Sequence, residues 1–305
     1  MRVAAIDCGT NSVRLLVADA DGRGLTDVER RLHLTRLGQG VDASGQFHPD
    51  ALARTLAAVA DFAGQIAELG VQRVRMVATS AARDATNRDE FFAGVRERLG
   101  VEAEIISGEE EARLSFLGAV TAVAFEPPAL VMDIGGGSTE LVRGRLDASG
   151  QVQIEQGISL DVGSVRFRER FLASDPPTAA EVGRAQAHLG SLLDECGIDF
   201  AGIGSWIGVG GTVTSLSALH QRLPEYQRAK VHGSVLPRSG LSELTAALLA
   251  SSVAQVRTLP SMHPQRADVI CAGALIADAV AARVGRDLVV SESDILDGIA
   301  LGLLS

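Results

Sequence analysis

The sequence predicts an α/β protein of two domains in which the second repeats the plan of the first, and three observations predict it. A short apolar strand that runs into an acid, a glycine turn, hydroxyl residues and a second strand occurs twice, at residues 3–17 (VAAIDCGTNSVRLLV) and at 131–143 (VMDIGGGSTELVR). Each copy opens a series of three strand-like segments followed by alternating helical and strand-like ones. Between the two series stands a Pro127–Pro128 pair, which breaks whatever element precedes it. The expectation is two tandem β-β-β-α-β-α units, residues 1–126 and 127–305, hinged near 125–128, with their glycine turns facing one cleft.

Taken in order, the first half reads as strands at about 2–7, 12–19 and 26–36. A helix follows Pro49, where Leu52, Leu56, Val59, Ala63 and Ile66 keep the spacing of one apolar face. Then come a strand at 74–80 (VRMVATS), a helix at 88–99, a strand at 102–107 and a helix from 107 to about 125. The second half repeats the opening with strands at 129–134, 138–145 and 151–160. Helices are expected at 162–172 and 178–196, a strand at 203–209, helices at 212–220, 241–250 and 264–283, a strand at 286–291 and a last helix at 293–304. That last helix is a candidate to pack back on the first domain. Residues 220–239, polar and holding Pro224 and Pro237, read as an irregular insertion.

A chain of 305 residues can bury two cores, and its 46% hydrophobic and 22% charged content describe a globular protein. Asp7 ends the first apolar run after four residues and no apolar run is long enough to span a bilayer, so neither a signal peptide nor membrane association is expected. Cys8, Cys196 and Cys271 lie far apart without C-x-x-C spacing, which argues against disulfides and zinc and fits a reducing cytoplasm. The net charge of −10 argues against nucleic-acid binding. An anionic ligand must be held locally, and the basic residues are arginines apart from Lys230.

The glycine turns are the chemical centre. Residues without Cβ let several backbone N–H groups converge on an anion, and Ser138 and Thr139 add hydroxyls. Asp133 and Glu140 put two acids beside the phosphates, which would repel unless a divalent cation or its waters sat between them; the plain alternative is an ordinary glycine-rich β-turn with solvated acids. In the first copy Asp7 aligns with Asp133, and Thr10 and Ser12 with the hydroxyls, so the pair suggests a duplicated grip on one phosphate group. A third glycine run, IGVGGTVTSL at 207–216, feeds Gly210 and Gly211 into a Thr212 helix start, where N–H groups and the helix dipole attract anions. No G-x-x-x-x-G-K-[ST] occurs, which excludes a P-loop ATPase.

In SGEEEARL (107–114), Ser107 and Glu110 match a capping box, so Glu111 remains as the carboxylate able to accept a proton from attacking water. Its bland alternative is a surface acid favoured by the helix dipole. Arg83 in TSAAR (79–83) is the best-placed phosphate clamp, Arg14 the weaker one, and Thr79 and Ser80 are candidate caps of the short helix holding Arg83. His232, beside Lys230, has a surface role as its plain alternative. Arg266, Asp268, Ser291, Glu292 and Ser293 read first as helix-start signals.

In combination and order, DCGTNSVRLLV, TSAAR, SGEEEARL, DIGGGSTELV, VGGTVTSL, PQRADVI and SESDILDGIALGLL resemble the exopolyphosphatase / guanosine pentaphosphate phosphohydrolase family across essentially the whole chain. The resemblance implies two ribonuclease-H-like domains of the actin-like ATPase superfamily with the active site in the interdomain cleft. It also implies Mg²⁺-assisted hydrolysis of a terminal phosphoanhydride in inorganic polyphosphate or guanosine pentaphosphate, with a monovalent cation such as K⁺ as a second candidate cofactor. The family's general base falls on Glu111 and its phosphate-binding arginine on Arg83. Its acids, which hold Mg²⁺ or orient water, fall on Asp133 and Glu140, with Asp7 as the matching acid of the first copy. The phosphate cradle falls on Gly9, Thr10, Asn11 and Ser12 and on Gly136, Gly137, Ser138 and Thr139.

Longer members carry further helical domains, whereas this sequence ends at Ser305, so a preference for shorter polymers is expected. Many relatives place an arginine where Asp297 stands, which implies a lost basic contact. Guanosine pentaphosphate hydrolysis is the alternative within the class, and a nucleotide-binding sensor or ATPase of the actin-like superfamily is the alternative outside it. A two-fold homodimer is the expected assembly.

Overall fold

The protein's computed structural model describes residues 1–21, 24–148 and 151–304. The chain runs β1 (Arg2–Cys8), β2 (Val13–Asp21), β3 (Gly24–His33), α1 (Val41–Ser44), α2 (Pro49–Glu68), β4 (Arg73–Ala78), α3 (Ser80–Asp84), α4 (Arg88–Leu99), β5 (Ala103–Ile105) and α5 (Gly108–Val120). It continues with β6 (Ala129–Ile134), β7 (Thr139–Leu146), β8 (Val152–Leu160), α6 (Ser164–Phe171), α7 (Ala179–Glu195), β9 (Ser205–Val209) and α8 (Gly210–His220). Last come α9 (Arg228–Val231), β10 (Val235–Leu236), α10 (Arg238–Leu249), α11 (Val253–Val256), α12 (Ile270–Val284), β11 (Leu288–Val290) and α13 (Ile295–Gly302).

Two compact units result: Met1–Gly118 with Ile295–Ser305, and Ala119–Asp294. The first holds a five-stranded sheet in the order β3-β2-β1-β4-β5, the second a six-stranded sheet in the order β10-β11-β9-β6-β7-β8. In each, three antiparallel strands are followed by parallel ones: β1 pairs β2 antiparallel and β4 parallel, and β6 pairs β7 antiparallel and β9 parallel. Apart from β10 the second sheet repeats the first strand for strand. The expected repeat is therefore a repeat of topology.

In the first unit both sheet faces are covered. Ala4, Ile6, Leu15 and Val17 enter one cluster with Val59 and Phe62 of α2 and Phe91 of α4, while Val3, Ala5, Leu16 and Ala18 enter another with Leu114 of α5 and Ile295, Leu296 and Ile299 of α13. The period of two along each strand sends alternate residues to opposite faces, so the near-continuous apolar runs of β1 and β2 follow from burial on both. The last helix packs on α5 closely enough that a Cβ on Gly298 would lie 2.0 Å from the Leu114 carbonyl oxygen. In the second unit Leu130, Met132 and Trp206 of the sheet share one core with α7, α8, α10 and α12.

Several boundaries differ from the sequence reading, each for a local reason. β3 ends at His33 and not 36, because Thr35 and Arg36 turn their N–H groups to the Asn11 carbonyl. The helix expected at 264–283 divides into a single 3-10 turn, Pro264–Arg266, and α12. The insertion at 220–239 holds α9 and the two-residue β10, which pairs with β11, too short a strand to show in a pattern. The unit division falls at 118/119, where the sequence reading put a boundary at 126/127. Among the described residues, no helix is long and apolar enough to cross a membrane.

Candidate active site

In the first unit, β1 and β2 form a hairpin whose turn is closed by Gly9 N–H donating to the Ser12 carbonyl at 2.9 Å. Its carbonyls face the loop after β3: Thr10 O accepts from Gly38 N at 2.9 Å, and Asn11 O accepts from Thr35 N and Arg36 N at 3.1 and 3.0 Å. The opposite edge of the turn is left with the N–H groups of Thr10 and Asn11, which donate to no described residue. Backbone donors released in this way form an anion cradle. The Asn11 side-chain oxygen, an acceptor, is buried without a hydrogen-bond partner. Gly38 allows the close approach of the loop, since a Cβ there would meet Thr10 Cγ2 at 2.2 Å.

The second unit repeats this hairpin between β6 and β7. Gly135 N–H donates to the Ser138 carbonyl at 3.0 Å, and the turn carbonyls again face inward, Gly135 O accepting from Ser164 N at 2.9 Å and Gly136 O from Val165 N and Arg166 N at 2.9 and 3.1 Å. The first N–H groups of α6 are thus satisfied by the turn, and those of Gly136 and Gly137 donate to no described residue. Thr139, expected in the cradle, gives its hydroxyl to the Val162 carbonyl at 2.5 Å.

The acids differ between the two hairpins. Asp133 stands directly opposite Glu140 in the β6–β7 register, and both are buried. Like charges placed opposite each other repel. Ser159 Oγ donates to Glu140 Oε1 at 2.6 Å, and Asp133 lies against the N-terminus of α8, where a Cβ on Gly210 would come within 2.5 Å of Asp133 Oδ1. Gly210 has φ +82°, so glycine is required there for conformation as well as for space. The helix dipole favours an anion at that place. In the first unit the partner opposite Asp7 is Arg14, whose Nη2 donates to Asp7 Oδ2 at 2.7 Å. Asp7 is thereby matched by a guanidinium.

The donor set tests whether a divalent cation fits. Among the described residues no group of three or more His, Cys, Asp and Glu gathers into a cage. Two opposed carboxylates beside an anion cradle instead suit Mg²⁺, which binds hard oxygen ligands and commonly takes one or two carboxylates plus substrate oxygens and water. The residues present therefore fit the ion at Asp133 and Glu140.

The remaining catalytic candidates meet in the first unit. Glu111, in the first turn of α5, is 8% exposed, and Arg83 of α3 donates from Nη1 to Glu111 Oε2 and to the Ile106 carbonyl, both at 2.9 Å. Arg83 Nε and Nη2 have no partner among the described residues, which leaves two donors for an anion. Glu111 is not a surface acid. Of the expected capping box only half forms: Ser107 Oγ accepts from Glu110 N at 3.1 Å, but the Glu110 carboxylate turns to Arg113 Nε at 2.8 Å, a bond that also holds it below the usual carboxylate pKa range. The capping roles expected of Thr79 and Ser80 are replaced. Thr79 makes no side-chain cap bond, and Ser80 Oγ lies 2.9 Å from Thr10 Oγ1, tying α3 to the first hairpin.

Gly210 and Gly211 occupy the expected helix start, and there Gly211 packs under Arg266, whose Nη1 donates to Gly211 O at 3.0 Å and to Ser215 Oγ at 3.2 Å. Thr212 is buried against Gly273 of α12. His232 Nδ1 accepts from Glu292 N at 3.1 Å, a structural use, and the Glu292 carboxylate binds Tyr226 and Arg228. Asp297 is buried and paired with Arg30 at 2.5 Å, an ion pair between α13 and β3. Sequence reasoning missed Ser159 altogether. Only the strand register brings it to Glu140.

The profile of the Ppx/GppA phosphatase family matches residues 16–301. Exopolyphosphatase 2 of Mycobacterium tuberculosis is 46% identical over 99% of this chain and 98% of its own length. The crystal structure of an exopolyphosphatase-like protein superposes with a TM-score of 0.95 at 41% identity, covering 100% of this chain and 99% of that one. A Ppx/GppA family member from Aquifex aeolicus superposes with a TM-score of 0.83 at 31% identity, over 100% of this chain and 97% of the other.

Proposed function

Because the chain belongs to the Ppx/GppA phosphatase family and shares its two-domain actin-like ATPase fold, we propose that it is an exopolyphosphatase that hydrolyses the terminal phosphoanhydride of inorganic polyphosphate and releases orthophosphate. The observation that carries this reading is the pair of hairpins, closed by the same bond and each presenting, beside a carboxylate, N–H groups with no partner among the described residues. Such groups recognise phosphate oxygens without regard to what lies further along the substrate.

In this reading Glu111 accepts the proton of the attacking water. Its carboxylate is held for that task by Arg83, whose remaining donors bind the transferred phosphoryl and offset its charge as the bond breaks. Each hairpin binds phosphate oxygens through its own backbone, Thr10 and Asn11 in the first unit and Gly136 and Gly137 in the second. Asp133 and Glu140 would hold a divalent cation, proposed to be Mg²⁺, which would supply positive charge to offset that of the phosphate oxygens. The 46% identity to Exopolyphosphatase 2 over the full length supports polyphosphate as the substrate.

The test is orthophosphate release with Mg²⁺ across a ladder of polyphosphate lengths, with guanosine pentaphosphate in a parallel arm. Release from polyphosphate is expected. Release from the nucleotide alone would move the activity to the family's other substrate, and no release from either would end the proposal.

A further inference from the structure

Ser159 lies outside every motif in the sequence, on β8, the edge strand of the second sheet. In the β7–β8 register it stands opposite Glu140, and Glu140 stands opposite Asp133, so three side chains form one row across three strands. The hydroxyl donates to Glu140 Oε1 at 2.6 Å, within the range of a strong O–H···O⁻ bond. The matching row of the first sheet reads Asp7, Arg14, Leu32. There the acid is met by a guanidinium and the third place carries no hydrogen-bonding side chain, being a Leu that is 41% exposed.

We propose that Ser159 is a positioning residue for the divalent-cation site of Asp133 and Glu140. A glutamate has three rotatable side-chain bonds, and a carboxylate free to sample them would assemble a cation site only part of the time. The Ser159 hydroxyl binds one oxygen and restricts Glu140 to the rotamer that stands beside Asp133. Partners of this kind around a ligating carboxylate govern metal affinity although they never touch the ion. The first unit needs no such residue, because its acid is already paired with Arg14. The inference rests on the assignment of Asp133 and Glu140 as cation ligands made above.

The experiment titrates Mn²⁺ into the full-length protein and reads bound ion by electron paramagnetic resonance, with Asp133→Asn as the site control and thermal melting as the check on folding. Ser159→Ala is expected to weaken Mn²⁺ binding by roughly tenfold or more, and Ser159→Thr, which keeps the hydroxyl, to restore it to within about threefold. A serine that merely steadied the edge strand would lower the melting temperature and leave Mn²⁺ affinity unchanged. Unchanged affinity in Ser159→Ala, with binding still lost in Asp133→Asn, would overturn the role of Ser159 and leave the cation site standing. Should the unaltered protein release orthophosphate yet bind no Mn²⁺ that Asp133→Asn removes, the cation assignment would fall and this inference with it.

Discussion

The two hairpins of this protein are built alike and charged differently. Both close with a glycine N–H donating three residues on, Gly9 to Ser12 and Gly135 to Ser138, and both turn their carbonyls toward the rest of their own unit. Yet the residue opposite the shared acid position is Arg14 in one and Glu140 in the other. The first hairpin therefore carries a neutralised pair at 2.7 Å, and the second carries two buried carboxylates beside Ser159 and the start of α8. In the proposed reading the backbone geometry serves one purpose twice, phosphate recognition. In that same reading the side chains split the remaining work, and the divalent cation is assigned to the second hairpin.

The largest effect should come from making the second hairpin resemble the first. Glu140→Arg would place a guanidinium opposite Asp133 and displace the cation, with an expected loss of several kcal/mol of transition-state stabilisation, about a thousandfold in kcat/KM. Retained turnover would show that the two hairpins are not specialised. Next, Arg83→Ala should cost on the order of 2–4 kcal/mol in the same quantity, and a value within a factor of about two of the unaltered protein would make Arg83 structural.

A third comparison concerns the glycines. Gly210→Ala combines a left-handed backbone with a contact at 2.5 Å to Asp133 Oδ1 and should lower folding stability by about 1–3 kcal/mol in denaturant titrations. Gly9→Ala would meet the Ser12 carbonyl oxygen at 3.5 Å, ordinary contact, and is expected to cost less than about 1 kcal/mol. The smallest effect on cation binding belongs to Arg14→Met. It removes the guanidinium beside Asp7 and should reduce stability by about 1–3 kcal/mol while leaving Mn²⁺ affinity unchanged, since that site lies in the other hairpin.

Both hairpins were legible because their chemistry is local: strand, acid, glycine turn and hydroxyls stand within about a dozen residues. The topological repeat could be read for the same reason, from the order of short periodic segments. What escaped depended on partners far along the chain. Arg83 and Glu111 were each visible as candidates, but their shared hydrogen bond spans 28 positions and required the fold to bring the end of α3 to the start of α5. Ser80 looked like part of a cap until the fold offered it Thr10, 70 positions away. Asp297 read as a missing basic contact, and only its approach to Arg30, 267 positions earlier, shows it to form an ion pair between α13 and β3. Ser159 could not be found by pattern at all, because a shift of one residue in the β7–β8 register would have turned it to the other face.

Glu111 is buried, fixed by an arginine and assigned to move a proton, and the proposed chemistry turns on that assignment. Orthophosphate release from short polyphosphate, measured for Glu111→Gln beside equilibrium binding of the same polymer, tests it most directly. Release should fall by more than about a hundredfold with binding retained to within a few-fold. Release within about twofold of the unaltered protein would contradict the mechanism.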